Sequence, residues 1–388
     1  MNHLLKEPLH ARVSGRLAAL QAAKLVRDLQ APAGVDLCSN DYLGLARHPL
    51  LKERMIDAVR DGGCGSTGSR LLSGERESFA CAERRFAAFK GTERALFFSS
   101  GYLANIAVLT TFPEPGDVVF SDERNHASLI DGVRLSTARR VVFPHNDAAD
   151  LARLLDVHRD CDHAFIVTES LFSMDGDFAP LADYAALCRA TGATLIVDEA
   201  HAVGVYGARG SGLIEATGID ADVAISINAA GKALGVCGAF VTGAAWAIDY
   251  LIQKARPFMF STAAPPAVAA AIEASLSLVD AESWRRENLT ALTRQARVAL
   301  AAAGIAVPAG SSQIIPVVIG DNDRAMAVAR SVRARGFDVR AIRPPSVPAG
   351  SARLRVSVNA GLDGASLDRF VLALSAALEE STCSAVSS

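Results

Sequence analysis

Short apolar runs alternate with helical patterns through the middle of the chain. A helical pattern such as PLADYAALCRATG (180–192) separates most neighbouring runs. The runs that we interpret as strands are ALFFSS (95–100), DVVFSD (117–122), AFIVTES (164–170), TLIVDEAH (194–201), DVAISI (222–227) and GAFVTG (238–243). Continuous apolar strands separated by helices indicate a mostly parallel sheet that helices cover on both faces. The pattern therefore predicts an α/β fold.

The alternation stops on both sides of this region. A helix is predicted from about Leu17 to Leu29, and GGCGSTGSRLLSG (62–74) is a glycine-rich loop. The C-terminal elements are the strands QIIPVVIG (313–320), DVRAIRPP (338–345) and RLRVSVN (353–359) and helices at 323–337 and about 364–380. We expect an N-terminal segment at 1–42, a large domain at 43–275 and a small C-terminal α+β domain at 276–388, with a disordered tail at 381–388.

Composition and charge exclude several classes of partner. Half of the 388 residues are hydrophobic, 21% are charged and the formal net charge is -3, which is typical of a globular protein and not of a nucleic-acid-binding one. No apolar run is long enough to span a membrane, and the N-terminus lacks the apolar region of a signal peptide. The seven cysteines form no CxxC pair and the histidines no HExxH motif. We therefore expect no metal site and a reducing, cytoplasmic compartment.

Polar residues with chemical potential follow several of the predicted strands. Ligands of open α/β sheets bind at the carboxyl ends of the strands. The residues found there are Ser100, Gly101, Tyr102, His126, Glu169, Ser173, Asp198, His201 and Lys232. Each alone has an ordinary structural explanation, as a turn, a cap or a surface residue. Together they supply a phosphate cradle, a carboxylate, an aromatic ring and an amine, which are the groups that pyridoxal phosphate requires.

Lys232 decides between two interpretations of SINAAGKALGVCG (226–238). A lysine among small and apolar residues is either a loop residue whose ammonium reaches water or a desolvated amine kept for covalent chemistry. The neighbouring motifs favour the second interpretation.

The chain resembles the α-oxoamine synthases, which are pyridoxal-phosphate enzymes with the fold of the aspartate aminotransferases. The stretches that carry the resemblance are SNDYLGL, GSTGSRLLSG, FFSSGYLAN, DERNHASL, TESLFSMDGD, VDEAHAVGVYG, GKALGVCGAFVTG and FMFSTAAPP. The resemblance implies the transferase fold type I. In that fold, a mostly parallel seven-stranded sheet lies between helices in a large domain, and a small α+β domain follows.

Two stretches are most similar to one branch of that family. These are HND (145–147) and AIRPPSVPAGSARLRVSV (341–358). The branch joins L-alanine to a pimeloyl thioester, carried by coenzyme A or acyl carrier protein, with loss of CO2 in biotin synthesis. The rival interpretations are an oxoamine synthase that uses glycine or another thioester, an aminotransferase, and a homologue that has lost its cofactor.

The resemblance also implies roles for single residues at the cofactor. Lys232 binds the cofactor aldehyde and later acts as a base. Asp198 pairs with the ring nitrogen and His201 approaches the 3'-oxygen. His126 stacks on the ring opposite Ala200 and can donate a hydrogen bond to a developing oxyanion. The phosphate is held by the amides of Gly101 and Tyr102, with Ser173 nearby and Thr262 from the other subunit of a homodimer.

Besides His126, the resemblance implies four residues in substrate binding. Asn40 and Arg355 would hold the carboxylate of alanine, and Arg27 and Ser346 match substrate-contacting positions. Two alternatives stay open for this group. Arg353 lies on the same strand face as Arg355 and could be the binder, and Arg355 could be an outward residue of an edge strand. Ser346 could be only a turn residue after Pro345.

Three positions depart from the family pattern. Ala229 and Ala230 stand where a hydroxyl residue and a large residue usually precede the lysine, and Phe79 stands in place of a histidine. Loss of a hydroxyl donor to the phosphate should weaken cofactor binding, unless Ser226, Asn228 or a water replaces it.

Overall fold

In the computed structural model, the described residues are 8–386 for the backbone and 8–382 for the side chains. The helices are α1 (Leu9–Ala22), α2 (Pro49–Gly62), α3 (Glu77–Lys90), α4 (Gly101–Thr111), α5 (Ala127–Leu135), α6 (Ala148–Val157), α7 (Leu181–Thr191), α8 (Leu213–Thr217), α9 (Ala245–Lys254), α10 (Arg256–Met259), α11 (Pro266–Ala281), α12 (Trp284–Ala302), α13 (Asn322–Ala334) and α14 (Gly364–Val386). The strands are β1 (Val35–Asp36), β2 (Arg94–Phe98), β3 (Val118–Asp122), β4 (Arg139–Phe143), β5 (Ala164–Glu169), β6 (Thr194–Asp198), β7 (Val223–Ala229), β8 (Ala239–Gly243), β9 (Ile314–Gly320), β10 (Phe337–Asp338), β11 (Ala341–Ile342) and β12 (Ala352–Ser357).

The chain divides into two compact units. The larger unit contains Ser39–Ala291 with Asn359–Gly361, and the smaller unit contains the described residues before and after these ranges. The domain limits inferred from the sequence stay a prediction, because a division by contacts does not test which part folds alone.

A seven-stranded sheet forms the centre of the larger unit. Its strand order is β2-β8-β7-β6-β5-β3-β4. Every strand is parallel to the others except β8, which runs antiparallel to both β2 and β7. The expected mostly parallel sheet between helices is therefore confirmed.

The central strands are mostly apolar because both of their faces are covered. Along β5, Val167 packs into one core with α4 and α9, whereas its neighbour Ile166 packs into the opposite core with α6 and α7. Successive side chains of a strand point to opposite faces, so a strand buried on both faces favours apolar residues at successive positions. This explains why the strands are recognisable as continuous apolar runs.

The edge strand β4 differs from the central strands, and we did not predict it from the sequence. It begins with Arg139 and Arg140, both exposed, and only Phe143 is fully buried. An edge strand with one covered face lacks the apolar run on which our strand prediction depends.

Parallel strands bring their carboxyl ends to one edge of the sheet. β3 ends at Asp122, β5 at Glu169, β6 at Asp198 and β7 at Ala229. The loop with Lys232 connects β7 to the antiparallel β8, so the lysine also lies at this edge.

The smaller unit contains a three-stranded antiparallel sheet of order β11-β12-β9 and a parallel pair of β1 with β10. The strand with Arg355, β12, is the central strand of its sheet, and Arg353 and Arg355 are both buried. The alternative that Arg355 points outward from an edge strand is therefore wrong. β12 has a partner on both sides, and α13 packs on this sheet.

Both ends of the chain differ from expectation. The first helix lies at Leu9–Ala22, earlier than predicted, because Pro8 starts it at the N-cap and Lys24 adopts a left-handed backbone with φ 56°. At the other end, α14 continues to Val386, so 381–386 is helical where disorder was expected. Ser387 and Ser388 lie outside the described residues. In the described part of the chain, no helix combines the length and apolarity needed to cross a membrane.

Candidate active site

A cavity of about 410 Å³ opens at the carboxyl edge of the large sheet. This volume lies in the range of about 300–1,000 Å³ that is usual for ligand pockets. Among the predicted site residues, the cavity is lined by Gly101, Tyr102, His126, Asp198, His201 and Lys232. Residues from segments far apart in sequence thus line one cavity at the carboxyl ends of the strands, as we predicted from the sequence.

Asp198 is a buried carboxylate at the end of β6, with 4% of its surface exposed. Its Oδ1 accepts a hydrogen bond from the backbone N–H of Ala200 at 2.8 Å, and its Oδ2 accepts one from Asn105 Nδ2 at 2.7 Å. Both of these donors are neutral. A carboxylate in such a place is stabilised further by a cation, and a protonated ring nitrogen would be one.

His126 is connected to Asp198 through two intermediate side chains. Asn105 donates to Ser128 Oγ at 2.8 Å, and Ser128 Oγ lies 2.7 Å from His126 Nδ1. The backbone N–H of Ser128 also donates to Nδ1 at 3.2 Å. These bonds assign Nδ1 as an acceptor, so the ring proton is on Nε2.

Burial lowers the pKa of His126 below its usual range, and the charge of Lys232 acts in the same direction against that of Asp198. The imidazole is therefore neutral at pH 7, and it has one N–H to donate. A neutral flat ring of this kind can cover the face of an aromatic cofactor.

His201 is held by two residues from the segment before α2. Its Nδ1 lies 2.7 Å from Tyr42 Oη, and Tyr42 donates to Asn40 Oδ1 at 3.1 Å. Because the tyrosine has a single proton, which it gives to Asn40, His201 is the donor through Nδ1. Asn40, predicted from the sequence as a substrate residue, is thus joined to the site by this chain of bonds.

The N-terminus of α4 forms one wall of the cavity. Ser100 caps the helix by accepting a hydrogen bond from the N–H of Leu103 at 3.2 Å, and Gly101 is the first helical residue. A Cβ added to Gly101 would contact only the Cβ of Ala229, at 3.7 Å. Packing within the protein does not demand a glycine there, so the space in front of the helix is available to an anionic ligand.

Lys232 lies in the tight loop between β7 and β8. The lysine is half-buried, and its carbonyl accepts a hydrogen bond from Gly235 N at 2.8 Å. Gly235 has φ +67°, and a Cβ there would lie 2.5 Å from the backbone N of Ala46. Only glycine satisfies this turn, which fixes the base of the lysine at the cavity wall.

Neither polar residue that could replace the missing hydroxyl lines the cavity. Ser226 Oγ lies 2.7 Å from Thr242 Oγ1, and Asn228 Nδ2 donates to Ser226 Oγ at 3.0 Å. These side chains are engaged with each other, whereas Ala229 lines the cavity. The geometry therefore does not favour Ser226 or Asn228 as a donor in place of the missing hydroxyl.

The contacts of Phe79 indicate a structural role. It is fully buried, stacks on Phe97 with ring centroids 5.7 Å apart, and lies under the Arg70 guanidinium at 4.7 Å. The aromatic ring fills a core position in which a cation covers its face.

The remaining predicted residues do not line this cavity in the described part of the chain. Ser173 is buried, and its backbone N–H faces the carboxyl group of Glu169. Thr262 is exposed on the segment after α10. Arg27, Ser346 and Arg355 belong to the smaller unit. There, Arg355 Nη1 donates to Ser357 Oγ at 2.7 Å and Arg27 Nη2 to the carbonyl of Pro344 at 3.1 Å.

Three residues of the site were not singled out from the sequence. They are Tyr42, Asn105 and Ser128. They lie inside the quoted motifs SNDYLGL, FFSSGYLAN and DERNHASL, and this position is the one signal that could have drawn attention to them, because their hydrogen bonds exist only in the folded chain. Glu169 was found at a strand end, but no role was assigned to it.

Fold and cavity correspond to a known class of enzymes. The model of the family "Aminotransferase class I and II" matches residues 32–374. A serine palmitoyltransferase from S. paucimobilis, in a structure that contains PLP, superposes with a TM-score of 0.92 at 27% identity, covering 97% of this chain and 100% of that chain. The serine palmitoyltransferase of Sphingomonas wittichii gives a TM-score of 0.90 at 29% identity over 99% of this chain and 100% of its own.

Similar proteins of known name identify one family within this class of enzymes. The 8-amino-7-oxononanoate synthase of Geobacter sulfurreducens is 45% identical over 93% of this chain and 96% of its own. That of Anaeromyxobacter dehalogenans is 45% identical over 95% and 96%. A structure of the same enzyme from Francisella tularensis has a TM-score of 0.77 at 27% identity, over 89% of this chain and 98% of that chain. The chain belongs to the 8-amino-7-oxononanoate synthase family, within the aminotransferases of class I and II, as the motifs predicted.

The residues of the cavity fit pyridoxal phosphate. Gly101 leaves open space at a helix N-terminus for a phosphate, and Asp198 offers a carboxylate whose hydrogen-bond donors are neutral. Two buried oxygens in the cavity lining, Asn105 Oδ1 and Glu169 Oε1, have no hydrogen-bond partner among the described residues. Buried polar atoms without partners are rare in native proteins, and a ligand can supply what they lack.

Proposed function

We propose that the protein is a pyridoxal-phosphate-dependent acyltransferase that joins L-alanine to a pimeloyl thioester. The products are 8-amino-7-oxononanoate, CO2 and the free thiol, in the biosynthesis of biotin. One observation carries the proposal: the cavity with Lys232, Asp198, His201 and His126 occurs in a chain that is 45% identical to 8-amino-7-oxononanoate synthases over nearly its full length.

Each side chain of the cavity would have its own role in the reaction. Lys232 would hold the cofactor through its aldehyde carbon, and its amine would serve as the base that accepts the Cα proton of alanine. Asp198 pairs with the ring nitrogen and keeps it protonated. The bound cofactor supplies an electron sink for the charge that develops at Cα. His201 would approach the 3'-oxygen in an orientation that its contact with Tyr42 fixes.

His126 has two tasks in this proposal. Its neutral ring covers one face of the cofactor, and its Nε2–H is available to the thioester carbonyl when that oxygen becomes negative. A positioned donor of this kind stabilises an oxyanion in a cavity from which water is excluded. Asn40 and Arg355 would bind the carboxylate of alanine, and Arg27 and Ser346 would contact substrate.

The partners and the compartment are part of the same proposal. Two copies would form a homodimer in which Thr262 of one subunit binds the phosphate held by the other. The acyl carrier would be coenzyme A or acyl carrier protein. The six cysteines among the described residues are free thiols, which supports a reducing, cytoplasmic compartment.

A substrate panel tests the activity. The purified protein, loaded with pyridoxal phosphate and desalted, is given pimeloyl-CoA with L-alanine, glycine or L-serine, and free thiol and product mass are recorded. We expect stoichiometric thiol and 8-amino-7-oxononanoate with alanine alone. Product from glycine would instead indicate another oxoamine synthase, and keto acid without thiol release an aminotransferase.

Two variants control this experiment. Lys232→Ala should abolish the product and shift the visible absorption of the bound cofactor, because the covalent bond to the lysine is lost. Lys52→Ala changes an exposed lysine on α2 and should leave both unchanged. Full activity of Lys232→Ala would overturn the assignment of the reacting lysine.

A further inference from the structure

Glu169 lines the cavity but has no part in the chemistry described so far. It is the last residue of β5, and only 3% of its surface is exposed. In the sheet it pairs in register with Asp198 of β6. Paired residues of neighbouring strands point to the same face, and both carboxyl groups reach the same cavity.

The two carboxyl groups differ in their hydrogen-bond partners. Asp198 accepts a hydrogen bond on each of its oxygens. The carboxyl group of Glu169 faces the backbone N–H groups of His126 and Ser173. Its Oε1, however, is buried without a partner among the described residues. Both oxygens of Asp198 thus accept hydrogen bonds, whereas one oxygen of Glu169, a residue that lines the same cavity, accepts none from the described residues.

Proton occupancy follows from this difference. Two adjacent buried carboxyl groups do not both ionise readily, because burial penalises each charge and the two charges repel each other. Burial, and next the charge of Asp198, raise the pKa of Glu169 to about 8, although Lys232 and the two backbone N–H groups oppose them. The groups that act on Glu169 are therefore Asp198 on β6, Lys232 after β7 and the N-terminus of α5 at His126.

We propose that Glu169 is a positioning residue of this site: a neutral carboxylic acid whose Oε1–H donates a hydrogen bond to an anionic oxygen of the bound ligand. Its other oxygen holds the backbone at His126 and Ser173, so one side chain joins two loops of the site to the ligand. The inference rests on the proposed function for the identity of the ligand. The anionic oxygen is either the phenolic oxygen of the cofactor or the carboxylate of the amino acid.

Glu169→Gln and Glu169→Ala distinguish a neutral donor from a structural anion. Glutamine keeps the size of the side chain, an N–H donor and an acceptor oxygen, but it cannot ionise. The apoprotein is titrated with pyridoxal phosphate, with and without L-alanine, at pH 6.5 and pH 9, and the dissociation constant is followed by intrinsic fluorescence. Glu53→Gln, on the exposed face of α2, is the control for loss of one charge.

At pH 6.5 we expect Glu169→Gln to bind within about threefold of wild type and Glu169→Ala about tenfold more weakly, the size of one hydrogen bond to a charged group. Between pH 6.5 and 9, wild type should lose affinity relative to Glu169→Gln, because only wild type can ionise there. Comparison of the two proteins cancels the titration of Lys232 and of the cofactor. An effect with the cofactor alone identifies the phenolic oxygen, and one that requires alanine identifies the carboxylate.

Two results would overturn the proposal. If glutamine weakened binding as much as alanine at pH 6.5, Glu169 would act as an anion. If wild type and Glu169→Gln had parallel pH profiles, Glu169 would not titrate in this range. Neither result depends on acyl transfer, so failure of the proposed function and failure of this inference are separate outcomes.

The stability of the apoprotein tests the protonation of Glu169 without any ligand. With a pKa raised from 4.5 to about 8, the folded protein keeps a proton that the unfolded chain releases, so stability falls as pH rises through this window. Glu169→Gln removes that contribution. Its urea midpoint should therefore rise relative to wild type between pH 5 and pH 9, and a constant difference would contradict the assignment.

Discussion

A single missing hydroxyl distinguishes the part of this cavity where we expect the cofactor phosphate. Ala229 ends β7 at the cavity wall, where the sequence motif is expected to provide a threonine or serine. The nearest polar residues of the strand, Ser226 and Asn228, are engaged with Thr242. Cofactor affinity should therefore be limited at this position.

Ala229→Thr should tighten binding of pyridoxal phosphate by about threefold to tenfold, because a hydroxyl would donate to the phosphate dianion. Ala229→Val is the matched control, since it has the same shape without the hydroxyl. The dissociation constants of both variants, measured on apoprotein, check the expectation. Equal constants for threonine and valine would show that the hydroxyl makes no bond.

At the scale of elements, a buried ion pair anchors the segment that carries Asp198 and His201. Lys90, the last residue of α3, is 4% exposed, and its Nζ lies 2.5 Å from Glu199 Oε2 and 2.6 Å from the carbonyl of Ser211. The other oxygen of Glu199 accepts the first N–H groups of α8. A helix end, a strand end and the start of another helix are thus held at one point.

Lys90→Met should lower the free energy of unfolding by about 3–5 kcal/mol, because it leaves a buried anion without its cation. The double variant Lys90→Met/Glu199→Gln should recover part of this loss, since both charges are then gone. Urea unfolding of the wild type and the variants measures the effect. A loss below about 1 kcal/mol in the single variant would contradict this account.

A second cluster joins three loops near the same sheet edge. His145 Nδ1 donates to Asp122 at 2.9 Å and its Nε2 donates to Asp177 at 2.8 Å. Burial alone would lower the pKa of His145, but the hydrogen bonds and charges of the two carboxylates outweigh it and raise the pKa to about 9. The imidazole is therefore a cation at pH 7 that connects both acidic residues.

This raised pKa gives the stability a defined pH dependence. The contribution of His145 is complete below its unfolded pKa near 6.5 and is lost as pH rises through about 9. Relative to His145→Gln, wild type should therefore lose about 1–3 kcal/mol of unfolding free energy from pH 6.5 to pH 10. The contribution of Glu169 has the same sign but cancels in this comparison. A difference that stays constant with pH would rule out the ion pairs.

For the whole molecule, the proposed homodimer can be tested through the cofactor. Thr262 is exposed in its own chain and does not line the described cavity around Lys232. A mixed dimer of Lys232→Ala with Thr262→Ala has one site with both changes and one with neither, if each site takes its threonine from the other subunit. It should then bind one cofactor per dimer with the wild-type dissociation constant. Weakened binding at that site would indicate that each subunit uses its own threonine.

Most of the fold could be predicted from the sequence because the sheet is covered on both faces. The strands β2, β3, β5, β6, β7 and β8 all lie within or beside the predicted apolar runs. β4 escaped prediction because its first residues are exposed arginines. The first helix was predicted too late because its exposed apolar residues gave no clear period, whereas its actual start is set by Pro8.

The site could be predicted less completely, and the reason is physical. Strand ends identify Asp198 and Lys232, since polar residues directly after buried strands are conspicuous. The connection from Asp198 through Asn105 and Ser128 to His126 joins three segments that only the folded sheet brings together. The proton on Glu169 depends on its register with Asp198, which no local pattern reveals.

The position of β8 in the sheet has a consequence for synthesis of the chain on the ribosome. Among the described strands, β2 lies at the edge of the sheet and pairs with β8 alone, far later in the sequence. Its residues Ala95, Leu96, Phe97 and Phe98 are all buried in the finished fold. During translation this aromatic segment emerges long before its partner, and an unpaired apolar strand is prone to aggregate. The nascent protein is therefore most prone to aggregate between the emergence of β2 and that of β8.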